Sequence, residues 1–503
     1  MSVPHYELFI DGRWVDTADR YEIRNPANGE LVATVAKGGP ADVDRAVAAA
    51  RAAHESGVWR TVPPAERARL LHTVADRLER RQDELAALQS RENGVTIRTS
   101  HVLHLGLSIG HLRYFADLGA AYPFEADGPS MAPFGSRGLL RREPVGVVGA
   151  IVPWNLPLTV AALKVGPALV AGNTMVLKPD EHTPLLALEL AREFAAAGLP
   201  AGVFNVVTGD GEPTGAYLSG HPDVRKVAFT GSTEVGKAIY GQAAGSVRRV
   251  TLELGGKGPN ILLPGVEESL AVDGALFAIM ANNGEACESG SRLLVPRDRH
   301  DEFVAALVER AASIRLGDPL DPATDLGPVI SRPHRDALLD HLAAARDQGA
   351  TIAHGGGVPA GAEFEQGSWL EPTIVTGATP QQDIARREVF GPILTVLSYD
   401  SVDEAVAIAN DTDYGLSAGV WGDEDLAVSV ARRLDAGMVF VNNWHITPSN
   451  YGFGGMKQSG IGREGGPQSL DAYTEPKFIS VDQTGWQPSH QAFGLVLSTP
   501  APH

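Results

Sequence analysis

The chain has 503 residues, a length that favours two or three domains over one simple core. Its formal charge of −19 argues against nucleic-acid partners, because binding a polyanion requires a basic stripe, and its single cysteine excludes an intrachain disulfide. The N-terminus lacks the basic start and apolar stretch of a secretory signal, and no apolar run approaches a membrane span, so we expect a cytoplasmic protein without membrane partners.

The first predicted elements are helices, since residues 40–92 carry apolar residues at helical spacing with charges on the opposite face. From residue 144 short apolar strands alternate with helices. The strands are predicted at 145–152, 173–179, 203–207, 226–231 and 249–256, and the helices between them include 184–198 and 233–244. This alternation is typical of a parallel, doubly wound sheet.

A second α/β block follows from about residue 257 to 450, with strands predicted at 292–296, 393–400 and 437–443. Two segments fit neither block: residues 122–143, which contain prolines, an Asp-Gly pair and the strand-like GLLRRE, and residues 475–503. A hairpin and a C-terminal strand outside both cores need another partner to cover their edges.

Cys287 is the first candidate for chemistry. It lies in NNGEACESGSR between Gly284 and Gly290, and glycines let a backbone approach a ligand closely. A lone cysteine is nevertheless more often a small buried apolar residue. Glu253 ends a predicted strand beside two glycines, where α/β sheets place reacting groups. A helix cap or a surface ion pair would also explain that glutamate.

Further polar motifs follow other strands. Asn155, in PWN, is either a turn former or a donor aimed at an oxyanion. Segment 231–237 resembles a phosphate-binding P-loop, which makes an NTPase or kinase one rival interpretation. However, Ala238 stands where that motif needs a hydroxyl for magnesium, whereas a pyrophosphate at a helix N-terminus still fits. Lys178 and Glu181, in KPDE, are either ribose contacts or an ordinary polar loop.

A metal site is not expected. His101, His104 and His111 share one segment, but no cysteine or carboxylate lies at metal-ligand spacing beside them.

Together the motifs resemble those of the NAD(P)-dependent aldehyde dehydrogenase family, and the resemblance runs from residue 8 to residue 466. The blocks occur in the family's order: PWNLP (153–157), KPDE (178–181), FTGSTEVG (229–236), LELGGK (252–257), GEAC (284–287), EVFGP (388–392) and FGGMKQSGIGRE (453–464).

This resemblance implies a doubly wound, Rossmann-like NAD domain, an α/β catalytic domain and a small β oligomerisation element. It implies that the hairpin and the strand near 476–482 pair between subunits, giving a homodimer or homotetramer. The predicted divisions are 1–121 and 144–255 for the NAD domain, 122–143 for the hairpin, 256–455 for the catalytic domain, 456–475 for a return to the NAD domain, and 476–503 for the oligomerisation strand and tail.

The resemblance also assigns roles to residues. Cys287 matches the nucleophile, Glu253 the base that activates water, and Asn155 the oxyanion donor. Lys164 and Glu464 match a proton relay. The matching cofactor positions are Ile151, Pro153, Trp154, Lys178, Glu181, Gly211, Gly231, Ser232, Leu254, Glu388 and Phe390. The substrate-funnel positions are Leu156, Thr159, Val160, Leu163, Ala286, Glu288, Trp444, His445, Thr447 and Phe453.

The sequence departs from the family pattern around the nucleophile. Glu285 stands where glutamine is commoner, and Glu288 where a small or apolar residue is usual. A carboxylate beside Cys287 should raise the pKa of its thiol by like-charge repulsion. Ser289 and Gly452 are further departures.

We therefore predict oxidation of an aldehyde to a carboxylic acid with NAD, through a thiohemiacetal and a thioester on Cys287. NADP is disfavoured because Glu181 would repel its extra phosphate. A CoA-acylating enzyme and a catalytically silent homologue are the alternatives. The aliphatic funnel wall favours medium-chain aliphatic or simple aromatic aldehydes over cationic ones, and the physiological aldehyde stays open.

Overall fold

The computed structural model describes residues 3–130, 135–483 and 496–497. Its strands, in chain order, are β1 (His5–Tyr6), β2 (Leu8–Ile10), β3 (Arg13–Val15), β4 (Arg20–Arg24), β5 (Leu31–Ala36), β6 (Glu125–Gly128), β7 (Ser136–Pro144), β8 (Val147–Ile151), β9 (Thr174–Lys178), β10 (Phe204–Val206), β11 (Lys226–Thr230), β12 (Arg249–Glu253), β13 (Pro259–Leu262), β14 (Arg292–Pro296), β15 (Thr351–His354), β16 (Thr373–Thr376), β17 (Ile393–Tyr399), β18 (Tyr414–Gly415), β19 (Ser417–Trp421), β20 (Met438–Val441), β21 (Met456–Lys457), β22 (Gly460–Ile461) and β23 (Thr474–Asp482).

The helices are α1 (Pro40–Ser56), α2 (Pro64–Arg80), α3 (Gln82–Asn93), α4 (Ile97–Thr99), α5 (Leu107–Ala121), α6 (Pro157–Val170), α7 (Leu185–Ala196), α8 (Ala216–Gly220), α9 (Thr233–Ala244), α10 (Glu268–Met280), α11 (His300–Ala312), α12 (Arg332–Asp347), α13 (Asp383–Arg386), α14 (Val402–Asn410), α15 (Glu424–Ala431) and α16 (Gln468–Ala472). A π-helical segment, Ser100–Gly106, joins α4 to α5.

The first large sheet has the strand order β22-β12-β11-β8-β9-β10-β2-β3 and is parallel from β12 to β10. Successive residues of β8 enter opposite cores: Val148 and Ala150 pack in one cluster, and Val147 and Ile151 in the other. A strand that is buried on both faces carries its apolar residues in an unbroken run. These runs allowed the strands of this block to be predicted from the sequence. The predicted doubly wound sheet is confirmed.

The second large sheet has the order β15-β16-β17-β14-β13-β19-β20 and is parallel except for β15. Its β14 is buried in the same way, with Leu293 and Val295 on one face and Leu294 on the other. This sheet follows directly on β12, so the α/β block predicted from residue 257 is a second sheet of its own.

After the second sheet, the chain returns to the first sheet next to β12, the strand after which it left. Strand β22 pairs antiparallel with β12, placing Ile461 opposite Leu252 and Gly460 opposite Glu253. Within the segment predicted to return, β21 pairs with β18 of the second block, and pairing with the first sheet begins with β22.

A small sheet, β23-β7-β6, lies outside both large sheets. Strand β23 pairs antiparallel with β7 over its whole length, from Thr474 opposite Pro144 to Asp482 opposite Ser136. Within one chain these segments pair with each other, and the expectation that they also meet a second subunit stays a prediction. The predicted tail beyond residue 483 lies, apart from residues 496–497, outside the described residues.

The N-terminal strands were not predicted. Strands β2 and β3 extend the edge of the first sheet, and β1, β5 and β4 form a separate small sheet. Each has six residues or fewer, too short for a clear periodic pattern. Across the described residues, no helix has both the length and the apolar character needed to cross a membrane.

Candidate active site

A cavity of about 300 Å³ lies at the carboxyl ends of β8, β11 and β12, where it meets the loop that carries Cys287. Ligands of open α/β sheets bind at this edge. Of the predicted catalytic and cofactor positions, the cavity is lined by Pro153, Trp154, Asn155, Gly231, Ser232, Glu253, Leu254, Cys287, Glu388, Phe390 and Glu464.

Cys287 is half-buried in the loop between α10 and β14. Its Sγ donates a hydrogen bond to Oε2 of Glu288 over 3.3 Å. Burial, followed by the charge and hydrogen bond of Glu288, raises the pKa of this thiol well above its ordinary value. Sequence reasoning named only the charge, because burial is a property of the folded chain.

Gly255 and Gly256, which follow β12, allow the chain after β12 to pass close to Cys287. A Cβ at Gly256 would lie 2.3 Å from the carbonyl oxygen of Cys287, and one at Gly255 would lie 2.2 Å from Oε2 of Glu388. Any side chain at either position would displace the groups that line the cavity. The glycines of the LELGGK motif therefore allow two loops to approach each other closely.

Asn155 is buried and held by a polar network. Its Nδ2 donates to the carbonyl of Glu285 over 2.8 Å, and its own carbonyl accepts from Nδ2 of Asn282 over 3.1 Å. Oδ1 of Asn282 accepts in turn from Nε2 of His104 over 2.8 Å. Burial lowers the pKa of His104 to about 4, so this imidazole is neutral at physiological pH. An amide nitrogen has two donors, which leaves one for a ligand.

Sequence reasoning missed His104 and Asn282 as supports of this network. Asn282 and Asn283 have φ values of 54° and 58°, a left-handed conformation that asparagine tolerates better than most residues. The consecutive asparagines before GEAC were the available signal for a strained turn at the site.

Glu253 is 2 % exposed, and within the described residues neither of its carboxylate oxygens has a hydrogen-bond partner. Burial, followed by the negative charge of Glu464, raises the pKa of Glu253 well above its usual range, while Lys164 and Arg463 oppose that rise. A buried carboxylate without partners, facing a cavity, is a candidate proton acceptor.

Lys164 and Glu464 lie behind Glu253. Nζ of Lys164 donates to the carboxylate of Glu464 and also to Oγ1 of Thr230, the latter over 2.8 Å. Both charged side chains are almost fully buried, at 0 % and 3 % exposure. The structure therefore brings the two predicted relay residues together beside the predicted base.

On the opposite side, Glu388 accepts a hydrogen bond from the amide of Gly256 over 2.9 Å, and burial raises its pKa to about 7. The ring of Phe390 meets that of Trp154 edge-on, with centroids 5.3 Å apart. Phe390 has φ of 63°, and His334 donates from Nε2 to its carbonyl over 2.8 Å. Ser232 caps α9, its hydroxyl accepting from the amide of Val235.

The remaining cofactor positions cluster beyond this cavity. Lys178 donates from Nζ to Oε2 of Glu181 over 3.1 Å. A Cβ at Gly215 would lie 3.7 Å from Cδ of Lys178 and 4.0 Å from Cδ1 of Ile151, so the turn that starts at Gly211 approaches the same two side chains.

The predicted funnel wall is present with two corrections. Trp444 and Ala286 do not line the cavity; Trp444 is 1 % exposed, packs against Phe440 and donates from Nε1 to the carbonyl of Glu288 over 3.0 Å. The predicted positions that line it are Leu156, Thr159, Val160, Leu163, Glu288, His445, Thr447 and Phe453. Unpredicted lining residues include Leu103, Leu107, His111, Pro448 and Tyr451.

Comparisons with known proteins agree with this architecture. The family model described as the aldehyde dehydrogenase family matches residues 14–479. The Bacillus subtilis (strain 168) protein DhaS, named as an aldehyde dehydrogenase, is 44% identical over 479 residues, covering 95% of each chain.

Solved structures are similarly close. An aldehyde dehydrogenase of Bacillus cereus, in complex with NAD+, is 40% identical with a TM-score of 0.92 and covers 95% of this chain and 97% of its own. A betaine aldehyde dehydrogenase of Staphylococcus aureus, also with NAD+, is 37% identical with a TM-score of 0.93, over 96% and 95% of the two chains.

The chain belongs to the aldehyde dehydrogenase family. It is accordingly an oxidoreductase acting on aldehydes, and the P-loop interpretation of segment 231–237 is set aside.

Proposed function

We propose that this enzyme oxidises an aldehyde to a carboxylic acid with NAD, using Cys287 as the nucleophile. The supporting observation is that one cavity is lined by a thiol, an amide donor and an unpartnered buried carboxylate. These are the groups that acyl transfer through a thioester requires.

The described residues suit a dinucleotide. Ser232 and the free amides at the start of α9 form an anion site, and Glu388 and Phe390 flank the same cavity as Cys287. Lys178 and Glu181 would hold the adenosine ribose, and the partly exposed Glu181 carboxylate favours NAD over NADP. When bound, NAD supplies the acceptor for the hydride that leaves the substrate.

The first half-reaction begins when Sγ of Cys287 releases its proton to water and attacks the aldehyde carbonyl carbon. The C–S bond forms, and the carbonyl oxygen becomes an alkoxide. Nδ2 of Asn155 and the backbone N–H of Cys287 would stabilise that charge, since preorganised donors act strongly in a dry site. Loss of hydride from the same carbon leaves a thioester on sulfur.

The second half-reaction is hydrolysis. Glu253 takes a proton from water, whose oxygen attacks the thioester carbon, and the C–S bond breaks to release the acid. The buried Lys164–Glu464 pair beside Glu253 supports a route that carries the proton away. The presence of this base favours hydrolysis over transfer of the acyl group to CoA.

We also propose an aliphatic or simple aromatic substrate and a homodimer or homotetramer. The cytoplasmic location expected from the sequence stays a prediction.

Replacement of Cys287 tests the proposal directly. We expect Cys287→Ala to abolish NADH formation from aldehyde while NAD binding, measured by calorimetry, changes little, because the thiol contributes to chemistry rather than to the nucleotide cradle. NADH formation at the wild-type rate by this variant would refute it.

A further inference from the structure

The carboxylate that follows the nucleophile is held between two partners. Oε2 of Glu288 accepts from Sγ of Cys287 over 3.3 Å, and Oε1 accepts from Nδ1 of His445 over 3.0 Å. The side chains of Glu288 and His445 are 12 % and 4 % exposed. The thiol, the carboxylate and the imidazole therefore form one hydrogen-bonded chain at the wall of the cavity.

His445 is built into this position. Its backbone has φ of 59°, and its ring meets that of Phe277 at a right angle, with centroids 5.3 Å apart. A non-glycine residue in the left-handed region is held there by its surroundings. Trp444, the preceding residue, fixes the other end of Glu288 by donating to its carbonyl.

The charge of Glu288 determines how this hydrogen-bonded chain affects the Cys287 thiol. Although burial opposes ionisation of Glu288, the hydrogen bond and charge of His445 hold the pKa of that carboxyl below its ordinary value. A carboxylate of lowered pKa is a weak proton acceptor but a good hydrogen-bond acceptor. It therefore favours the S–H form of its neighbour over a thiolate.

Apart from His445, which is bonded to Glu288, no described residue lining the cavity places a cation beside the sulfur. The other titratable residues lining the cavity are His111, Glu253, Glu388, Tyr451 and Glu464. Burial lowers the pKa of His111 to about 4, which leaves it neutral. Among the described residues, the hydrogen bond to Glu288 is the one the thiol makes.

We propose that Glu288, positioned by His445, keeps the Cys287 thiol protonated in the resting enzyme and so shields the chain's single cysteine from electrophiles in solution. The inference rests on the proposed role of Cys287 as the nucleophile. Attack on substrate then requires the proton to leave sulfur for solvent water, since Glu288 is a weak proton acceptor.

Alkylation by iodoacetamide, followed by intact mass spectrometry between about pH 6.5 and pH 10, measures the thiolate directly, because only the thiolate reacts. The added mass that Cys287→Ala does not take up reports Cys287, the only cysteine. For the wild type we expect a midpoint above the ordinary thiol value of about 8.5. For Glu288→Gln we expect alkylation at pH 7.5 to be about tenfold faster, because the neighbouring negative charge and its hydrogen bond are removed.

Glu285→Gln is the matched control. That carboxylate is also buried and lies two residues before Cys287, but it accepts from the amide of Ile330 over 2.9 Å instead of from the thiol. Its removal should leave the alkylation profile unchanged. Equal midpoints for wild type and Glu288→Gln, or the same shift in both glutamine variants, would overturn the proposal.

His445→Leu tests the positioning role. Loss of its hydrogen bond removes what holds Glu288 in place and ionised, so alkylation at pH 7.5 should become faster, towards the rate of Glu288→Gln. In the Glu288→Gln background the same change should have no effect, and an equal effect in both backgrounds would contradict the role. Glu288→Asp, which keeps the charge, covers the case in which the glutamine variant does not fold, and its alkylation should stay slow.

This experiment uses neither aldehyde nor NAD. An inactive wild type or an active Cys287→Ala would refute the proposed function, whereas the alkylation profiles decide only whether Glu288 holds the proton.

Discussion

Lys178 and Glu181 form an ion pair, with Nζ 3.1 Å from Oε2, in which the lysine side chain is almost buried and the glutamate is one-third exposed. The carboxylate is thus the group of this pair that an incoming nucleotide meets first.

We expect the enzyme to prefer NAD over NADP for this reason. Two like charges about 4 Å apart cost roughly 1 to 4 kcal/mol between water-like and surface-like dielectrics, a preference of about fivefold or more, which Lys178 partly offsets. Glu181→Gln should raise kcat/KM for NADP by about tenfold while changing that for NAD less. Equal efficiency of wild type with both cofactors would contradict the role of Glu181.

The two half-reactions should separate in Glu253→Gln. Hydride leaves before the base is needed, so stopped-flow absorbance should show one burst of NADH followed by a stall. Mass spectrometry should then find an acyl group on Cys287. If the burst disappears with the steady state, Glu253 acts earlier than hydrolysis.

Glu464→Gln should move the pH profile in a defined direction. The charge of Glu464 raises the pKa of Glu253, and Lys164 lowers it. Hydrolysis needs the ionised carboxylate, so kcat should rise with pH through the pKa of Glu253. Removing Glu464 lowers that pKa, so the acid limb of kcat should shift to lower pH wherever hydrolysis limits turnover. A shift to higher pH would mean that Glu464 acts mainly through its bond to Lys164.

The cavity should select uncharged aldehydes. Leu103, Leu107, Leu156 and Leu163 line it, and each buried CH2 contributes roughly 0.8 kcal/mol. Trp444 is buried elsewhere, and Glu288 is already paired with His445. We therefore expect medium-chain aliphatic or simple aromatic aldehydes to exceed betaine aldehyde in kcat/KM. A cationic aldehyde as the best substrate, with the preference lost in Glu288→Gln, would reverse this prediction.

The small sheet should carry a subunit contact. Leu140 and Phe478 lie opposite each other across β7 and β23 and are 43% and 54% exposed. An exposed apolar pair on a sheet with little core of its own is a candidate for coverage by a second copy. Phe478→Asp should lower the mass found by light scattering, whereas Leu270→Asp, at a similarly exposed leucine on α10, should not.

The sequence alone predicted the structure where a strand is buried on both faces or where a motif fixes the conformation of a loop. The continuous apolar strands β8, β9 and β11 were predicted for the first reason. Glu253 and Cys287 were singled out for the second, because glycines mark close approaches. Trp444 was wrongly predicted to line the cavity. Adjacent residues of a loop can point in opposite directions, and the next residue, His445, does line the cavity. The support given by His104 joins positions 178 residues apart, which no local pattern reveals.

Two segments of the chain connect the two large sheets, one after β12 and one before β22. Because β22 pairs with β12, these two connections lie next to each other. The chain leaves the first sheet just after Glu253 and returns at Gly460, opposite the same residue. Because the two connections lie side by side, a rotation of one sheet against the other about them would move the groups nearest to them least. Opening to exchange the nucleotide would then displace the far rim of the cleft most and Glu253 least.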